Sequence, residues 1–266
     1  METARIVIPL YKTHLDQLEK MSLERSLSTL KNHAFSIVCP TSLDLAPLMP
    51  IFEEVNYDIR RFDPEFFNGI QGYNRLMLSN AFYAAFSDCK YVLICQTDVF
   101  VFSDQLSFWC AKDYDYIGAP WIASPQNMLK KLFYAVENFF TQKDKSSYHF
   151  FKVGNGGFSL RKVETMLHIV NQLKDKAVFF SEHRDERKYH QEDVFISVYA
   201  PTQIPGIKIP GYEEAVSFSM DRKPRLAYRL NRGELPFACH GFNKSKVKEF
   251  WKPIILSFQD DLNKKY

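Results

Sequence analysis

Several polar groups in this sequence lie directly against apolar runs, where a fold can hold a reactive side chain at the edge of its core. Gln96, Thr97 and Asp98 follow Tyr91-Val-Leu-Ile-Cys95, a strand-like run, and precede a second apolar run, Val99-Phe-Val-Phe102. Open α/β sheets bind ligands beyond the carboxyl ends of their strands. A carboxylate at that edge could hold a divalent cation bridging two phosphates, since hard cations take oxygen ligands; capping a turn is the plainer role. Asn74 and Arg75 stand before the same strand, where a cation could reach phosphate. Glu192 and Asp193 open the run Glu-Asp-Val-Phe-Ile-Ser-Val-Tyr199, which reads as a helix with its acids at the positive end. Neighbouring helical residues point about 100° apart, so these two carboxylates cannot share one job. Gly154-Asn155-Gly156-Gly157 separates two apolar runs, as in a tight hairpin. The same glycines would also let backbone approach a ligand closely.

The elements that must position these groups alternate. Arg5 to Tyr11, Ala34 to Cys39 and Tyr57 to Phe62 read as strands, the first two ended by Pro9 and Pro40. Between them, Leu15, Leu18, Met21, Leu23, Leu27 and Leu30 have helical spacing, and Tyr73, Leu76, Met77, Ala81 and Ala84 mark a second helical face. Short connections between alternating strands and helices predict a mostly parallel sheet covered on both faces. Tyr114 to Trp121 reads as a strand and turn, and Asn127 to Phe140 as an amphipathic helix. With no repeat or linker, residues 1–266 are expected to form one domain.

Composition narrows the function classes. Hydrophobic residues make up 46% and charged residues 24%, which argues against disorder, and a net charge of +3 is too small to suggest nucleic-acid binding. The five cysteines form no C-x-x-C pair, and their odd number fits reduced, buried thiols. No apolar run approaches the roughly 20 residues of a membrane span, and the N-terminus lacks a long signal-peptide core. A soluble, cytoplasmic protein is expected. No P-loop, G-x-S-x-G or H-E-x-x-H motif occurs, and His183-Arg-Asp185 lacks the Asn of a kinase catalytic loop, position 190 being His.

Taken in order, Gly72-Tyr-Asn-Arg-Leu-Met-Leu-Ser79, Asp98-Val-Phe-Val-Phe102, Tyr114-Asp-Tyr-Ile-Gly-Ala-Pro-Trp121, Gly154-Asn-Gly-Gly-Phe-Ser-Leu-Arg161 and Glu192-Asp-Val-Phe195 resemble a family of bacterial GT-A-type glycosyltransferases often found with surface-polysaccharide genes. The resemblance implies a GT-A-type, Rossmann-like α/β fold. It also implies a nucleotide-sugar-binding half over 1–105 and an acceptor-binding half over 106–266. Such enzymes generally carry D-x-D after the central strand; here Gln96 replaces the first acid, which implies fewer protein ligands to a metal, or none. The resemblance assigns Asp98, Gln96, Thr97, Asn74 and Arg75 to the donor, with a UDP-sugar expected. Asp98 and His240 would hold Mn2+ or Mg2+.

Glu192-Asp193 is similar to the late acidic pair of inverting GT-A enzymes, with Asp193 as base and Glu192 in support. Trp121, Asn155, Gly156 and Gly157 are the expected acceptor contacts. Many such acceptors are lipid-linked, so Lys130 and Lys131 with Phe133, Tyr134, Phe139 and Phe140 are a candidate surface for transient contact with the inner membrane face. The competing expectation is a catalytically silent sugar-binding or assembly subunit. A nucleotidyltransferase would want a basic, Gly-rich loop after the first strand, which Pro9 to Thr13 does not supply.

Overall fold

The strands at the centre of the protein are apolar on both faces. In β1 (Glu2–Pro9), Ile6, Val7 and Ile8 are buried, as are all seven residues of β2 (Ala34–Pro40) and all but Lys90 of β4 (Cys89–Cys95). A strand covered by helices on both sides must read as a continuous hydrophobic run rather than an alternating one. Each fully buried Ile, Leu or Val contributes roughly 1.5–3 kcal/mol. The structure is a computed structural model and describes residues 2–123, 129, 150–182 and 191–263, with side chains to 258.

The main sheet has six strands in the order β3-β2-β1-β4-β7-β6, with β3 at Tyr57–Phe62, β6 at Tyr116–Gly118 and β7 at Phe158–Lys162. β1 pairs in parallel with both β2 and β4, whereas β7 runs antiparallel between β4 and β6. Five strands thus share one direction, as the sequence pattern predicts. The chain leaves β1 towards β2 and β3 and then returns to β4 on the other side of β1. That reversal opens a crevice beyond the carboxyl ends of β1 and β4.

Helix α1 (Gln17–Thr29) starts with a capping box in which the Asp16 side chain accepts from the Leu18 and Glu19 amides and Glu19 accepts from the Asp16 amide. Leu23 and Leu27 face the sheet, while Leu18, a member of the predicted apolar stripe, is exposed. The single helical face predicted over Tyr73 to Ala84 is two helices, α2 (Gly69–Met77) and α3 (Asn80–Ala84). The break comes at Ser79, whose hydroxyl accepts from the Phe82 amide and caps a new helix.

Gly154–Gly157 does not close a hairpin. The strand after it, β7, pairs with β4 and with β6, which lies about 40 residues earlier, so the glycines form the entry to β7. Asn155 takes the left-handed conformation there (φ 68°).

A second, three-stranded sheet joins β5 (Val99–Val101), β9 (Ala238–His240) and β8 (Ser219–Met220) in the order β5-β9-β8. Phe100, Phe102, Phe242, Trp251 and Ile255 pack this sheet against the C-terminal helix Lys248–Asn263. Helix α1 ties it to the main sheet: the Ser22 hydroxyl donates to the Val99 carbonyl, and Arg25 donates to those of Val101 and Phe102. Apart from Leu129, the predicted helix over Asn127 to Phe140, including Lys130, Lys131 and the neighbouring aromatic residues, lies outside the described residues, as does the His183–His190 stretch. All five cysteines are buried and free. Among the described residues, no helix is long and apolar enough to cross a membrane.

Candidate active site

The crevice at the strand reversal is an open cavity of about 760 Å³. Its floor is Gln96, Thr97 and Asp98 after β4. One wall is Gly156 and Gly157 with Gln191, Glu192 and Asp193; the other is Pro9, Tyr11 and Glu19. Phe66, Phe67, Ile70, Tyr73 and Asn74 close the side next to α2, and Asn243 and Lys244 reach in from the C-terminal region. Arg75, Trp121, Asn155 and His240 are not among these walls. Arg75 instead donates to the Glu65 carbonyl, which its place on the outer face of α2 explains. Trp121 is seated on Gly154, so closely that a methyl group there would overlap the indole. Asn155 is buried behind the wall, with its side-chain oxygen accepting from the Gly157 amide.

The small sheet brings Asp98 and His240 together. Val99 is in register with His240, and the Gly241 amide donates to the Asp98 carbonyl, so both side chains leave the sheet at one end. His240 Nε2 lies 3.1 Å from Asp98 Oδ1, and its Nδ1 lies 3.7 Å from Asp221 Oδ1. Burial alone would lower the imidazole pKa, but the carboxylates of Asp221 and Asp98 outweigh it and raise His240 to about 9. Burial disfavours the Asp98 carboxylate in turn, yet His240 and Lys244 hold it below its ordinary value. Lys244 Nζ is 3.7 Å from Asp98 Oδ2.

Glu192 and Asp193 are buried, at 3% and 7% exposure, so they are not a solvated helix start. They begin the expected helix, which is α over Glu192–Val194, a π turn over Phe195–Tyr199 and α again over Ala200–Gln203, and they point differently, as adjacent helical residues must. Glu192 pairs with Arg161, a fully buried residue of β7, at 3.0 Å. Arg161 also donates to the Tyr83 hydroxyl and to Ser159. Desolvation, opposed by Arg161 and assisted by Asp193, raises Glu192 to about 7. Asp193 is also raised by burial, against the amides of Val194 and Asn155, which donate to its two oxygens at 2.8 and 2.9 Å. It therefore anchors the glycine turn.

Each glycine of that turn makes room for one of the site's own side chains. A methyl group on Gly156 would overlap the Glu192 carboxylate, and one on Gly157 would meet the His240 ring and come within 2.7 Å of Gln96 Oε1. His240, Gln96 and Asp98 thus converge beside Gly157. The sequence reading missed Arg161, Asp221, Lys244 and Glu19. An arginine inside an apolar strand run was the available signal for the first; the others are brought in only by folding.

Residues 56–240 match the family model described as "Protein of unknown function (DUF5672)". The chain belongs to this family. A search of curated proteins finds no match to the DUF5672 chain. Among solved structures, it is similar to mouse xyloside xylosyltransferase 1 in its apo form (TM-score 0.55, 11% identity, covering 90% of this chain and 97% of that one). It is also similar to the galactosyltransferase LgtC in complex with donor and acceptor sugar analogs (TM-score 0.51, 15% identity, 89% and 86%). At such identities the likeness is one of fold. The DUF5672 chain has the mixed α/β fold of GT-A glycosyltransferases.

Proposed function

We propose that this protein transfers a sugar from a nucleotide-sugar donor, with a UDP-sugar expected, to a saccharide acceptor. One observation carries the reading. A single cavity at the strand reversal is lined by Asp98 on one side and Asp193 on another, and His240 backs Asp98 from behind the wall at 3.1 Å. Its size falls in the range of small-ligand and cofactor sites. LgtC was solved with donor and acceptor sugar analogs, and the same fold here motivates looking for both.

Among the described residues, no group of three His, Cys, Asp or Glu side chains is arranged to hold a metal. The Asp98 carboxylate and the nearby Gln96 amide oxygen are hard donors of the kind Mn2+ or Mg2+ takes, and the His240 imidazole, 3.1 Å from Asp98, would join them on losing its proton, which suits Mn2+ better than Mg2+. Such an ion would supply positive charge to the departing nucleoside diphosphate. Asp98 and His240 would hold it, with Gln96 in place of a first acid. Thr97 and Asn74 line the donor side, and Lys244 adds a cation at the same edge. On the far wall Asp193 accepts the proton of the acceptor hydroxyl, and Glu192, fixed by Arg161, keeps Gly156 and Asp193 in place. Attack opposite the diphosphate inverts the anomeric centre.

One observation favours a second stereochemical outcome. Both Asp193 oxygens already accept backbone N–H groups, which suits transfer with retention, the acceptor proton passing to the departing phosphate. Screening nucleotide sugars for binding and for hydrolysis, with and without Mn2+, tests the function, and the anomer formed on a cognate acceptor decides the outcome. Stabilisation by a nucleotide sugar without turnover on any acceptor would mean a silent sugar-binding or assembly subunit.

A further inference from the structure

The protein's charge is unevenly placed. Residues 221–252 hold nine Lys and Arg against three Asp and Glu, a net of +6 in a chain whose total is +3, so the rest of the chain is net −3. Most of this charge lies on two neighbouring helices. In and just after Pro224–Leu230, Arg225, Arg229 and Arg232 recur at helical spacing and all are exposed. Lys244, Lys248 and Lys252 recur every four residues into the helix Lys248–Asn263 and are likewise exposed. The helices lie side by side, with Tyr228 against Phe250 at 5.8 Å and the Arg225 guanidinium 5.8 Å from the Phe250 ring.

Little neutralises these cations. Of the Lys and Arg of this region, among the described residues only Arg222 and Lys244 reach a carboxylate, each at 3.7 Å. Two large apolar side chains are exposed on the same helices. Leu256, 47% exposed, continues the Lys248–Lys252 row about 12 Å along the axis, and Leu230, 41% exposed, lies next to Arg229. Cationic rows with protruding leucines match the headgroup and upper acyl layers of an anionic bilayer. The row starts at Lys244, which lines the cavity.

We propose that the face formed by the helices Pro224–Leu230 and Lys248–Asn263 docks the protein on an anionic phospholipid surface, with the cavity mouth at its edge. The docking does not depend on the catalytic reading. It also places the contact elsewhere than the Lys130–Lys131 stretch singled out in the sequence. Each Lys or Arg near such a surface strengthens partitioning about fivefold. The charge asymmetry of the chain orients the approach.

The test is flotation with phosphatidylcholine vesicles, alone or with 30% phosphatidylglycerol. The expected result is co-migration with the anionic vesicles at low salt and its loss at high salt, with no binding to the neutral ones. Arg229→Glu/Lys248→Glu/Lys252→Glu should weaken partitioning on the order of 100-fold or more, while Lys130→Glu/Lys131→Glu leaves it unchanged. The milder Arg229→Gln/Lys248→Gln/Lys252→Gln variant carries the same test if the reversed protein unfolds. Leu230→Ser/Leu256→Ser should weaken vesicle binding several-fold and leave heparin binding unaltered. Four results overturn the proposal: no co-migration of the wild type, equal binding to neutral vesicles, unchanged binding in both charge variants, or capture by heparin alone, which would mark a polyanion site.

Discussion

A methyl group on Gly156 distinguishes two uses of the glycine turn. If the turn exists to let a ligand approach the backbone, Gly156→Ala should harm binding and spare stability. The packing predicts the reverse order of effects. The added carbon would overlap Glu192 Oε1, with Glu192 Cδ at 2.8 Å and Arg161 Nη2 at 3.2 Å. The two side chains are 4% and 0% exposed, so the carboxylate can yield only towards the cavity and away from Arg161. Gly156 is not among the residues with positive φ, so alanine meets no backbone strain there and the cost is one of contact. Displacing the carboxylate leaves the Arg161 charge buried and unpaired, which costs about 3–5 kcal/mol. In a chain of this length that lowers Tm by about 6–10 °C. Gly206→Ala is the control: its φ of 91° carries strain, but nothing lies within 4 Å of an added carbon, so about 1–2 kcal/mol is expected. The assay is thermal and urea unfolding of Gly156→Ala, Glu192→Ala and the double variant. Because both single changes remove the same contact, the double should be little less stable than Glu192→Ala, a coupling of about 3 kcal/mol. Strict additivity, or a Tm for Gly156→Ala within 2 °C of wild type, would refute the reasoning.

Four further outcomes follow from the site. Asp98→Ala and His240→Ala should each weaken Mn2+-dependent binding of a nucleoside diphosphate, read by calorimetry; unchanged metal dependence in both would assign charge neutralisation to Lys244. Asp221→Asn removes the carboxylate facing His240 Nδ1 and should reduce Mn2+ affinity about 10- to 100-fold, whereas a bystander would leave it unaltered. Glu192 has a folded-state pKa near 7, raised from 4.5, so its contribution to stability is present below about pH 4.5 and is lost as pH rises through 7. The loss is at most about 3 kcal/mol, and Glu192→Gln should flatten urea-unfolding stability over that window. Asp193→Asn should lower kcat roughly 10²-fold or more with little change in donor affinity. It should also cost about 1–3 kcal/mol in stability, because an amide NH2 would face a backbone N–H. Normal kcat on a confirmed acceptor would move the proton elsewhere.

How far the sequence discloses the fold and the site depends on whether a signal is local. Continuous apolar runs such as Tyr91–Cys95 identify buried parallel strands because burial on both faces leaves no place for a polar residue. The residues just after such a strand are equally legible, and Gln96 to Asp98 do line the cavity. The glycine turn was ambiguous because a hairpin and a strand entry share the same backbone demands within four residues. Only the pairing of β7 with β4 and β6 separates them, and that pairing is long-range.

Arg161 was hidden for a related reason. An arginine in a strand reads locally as an outward-facing residue, and its burial depends on Glu192, 31 residues later, and on Tyr83, 78 residues earlier. A buried guanidinium is tolerable only when it is paired and its N–H groups are hydrogen-bonded. That requirement makes β7 the link between the two ends of the cavity. The strand holds Glu192 through Arg161, and the turn that leads into it meets Asp193 at Asn155 and His240 at Gly157. The metal-type pair and the acidic wall are therefore not independent modules grafted onto a sheet. They share one turn, and a change at that turn should register at both.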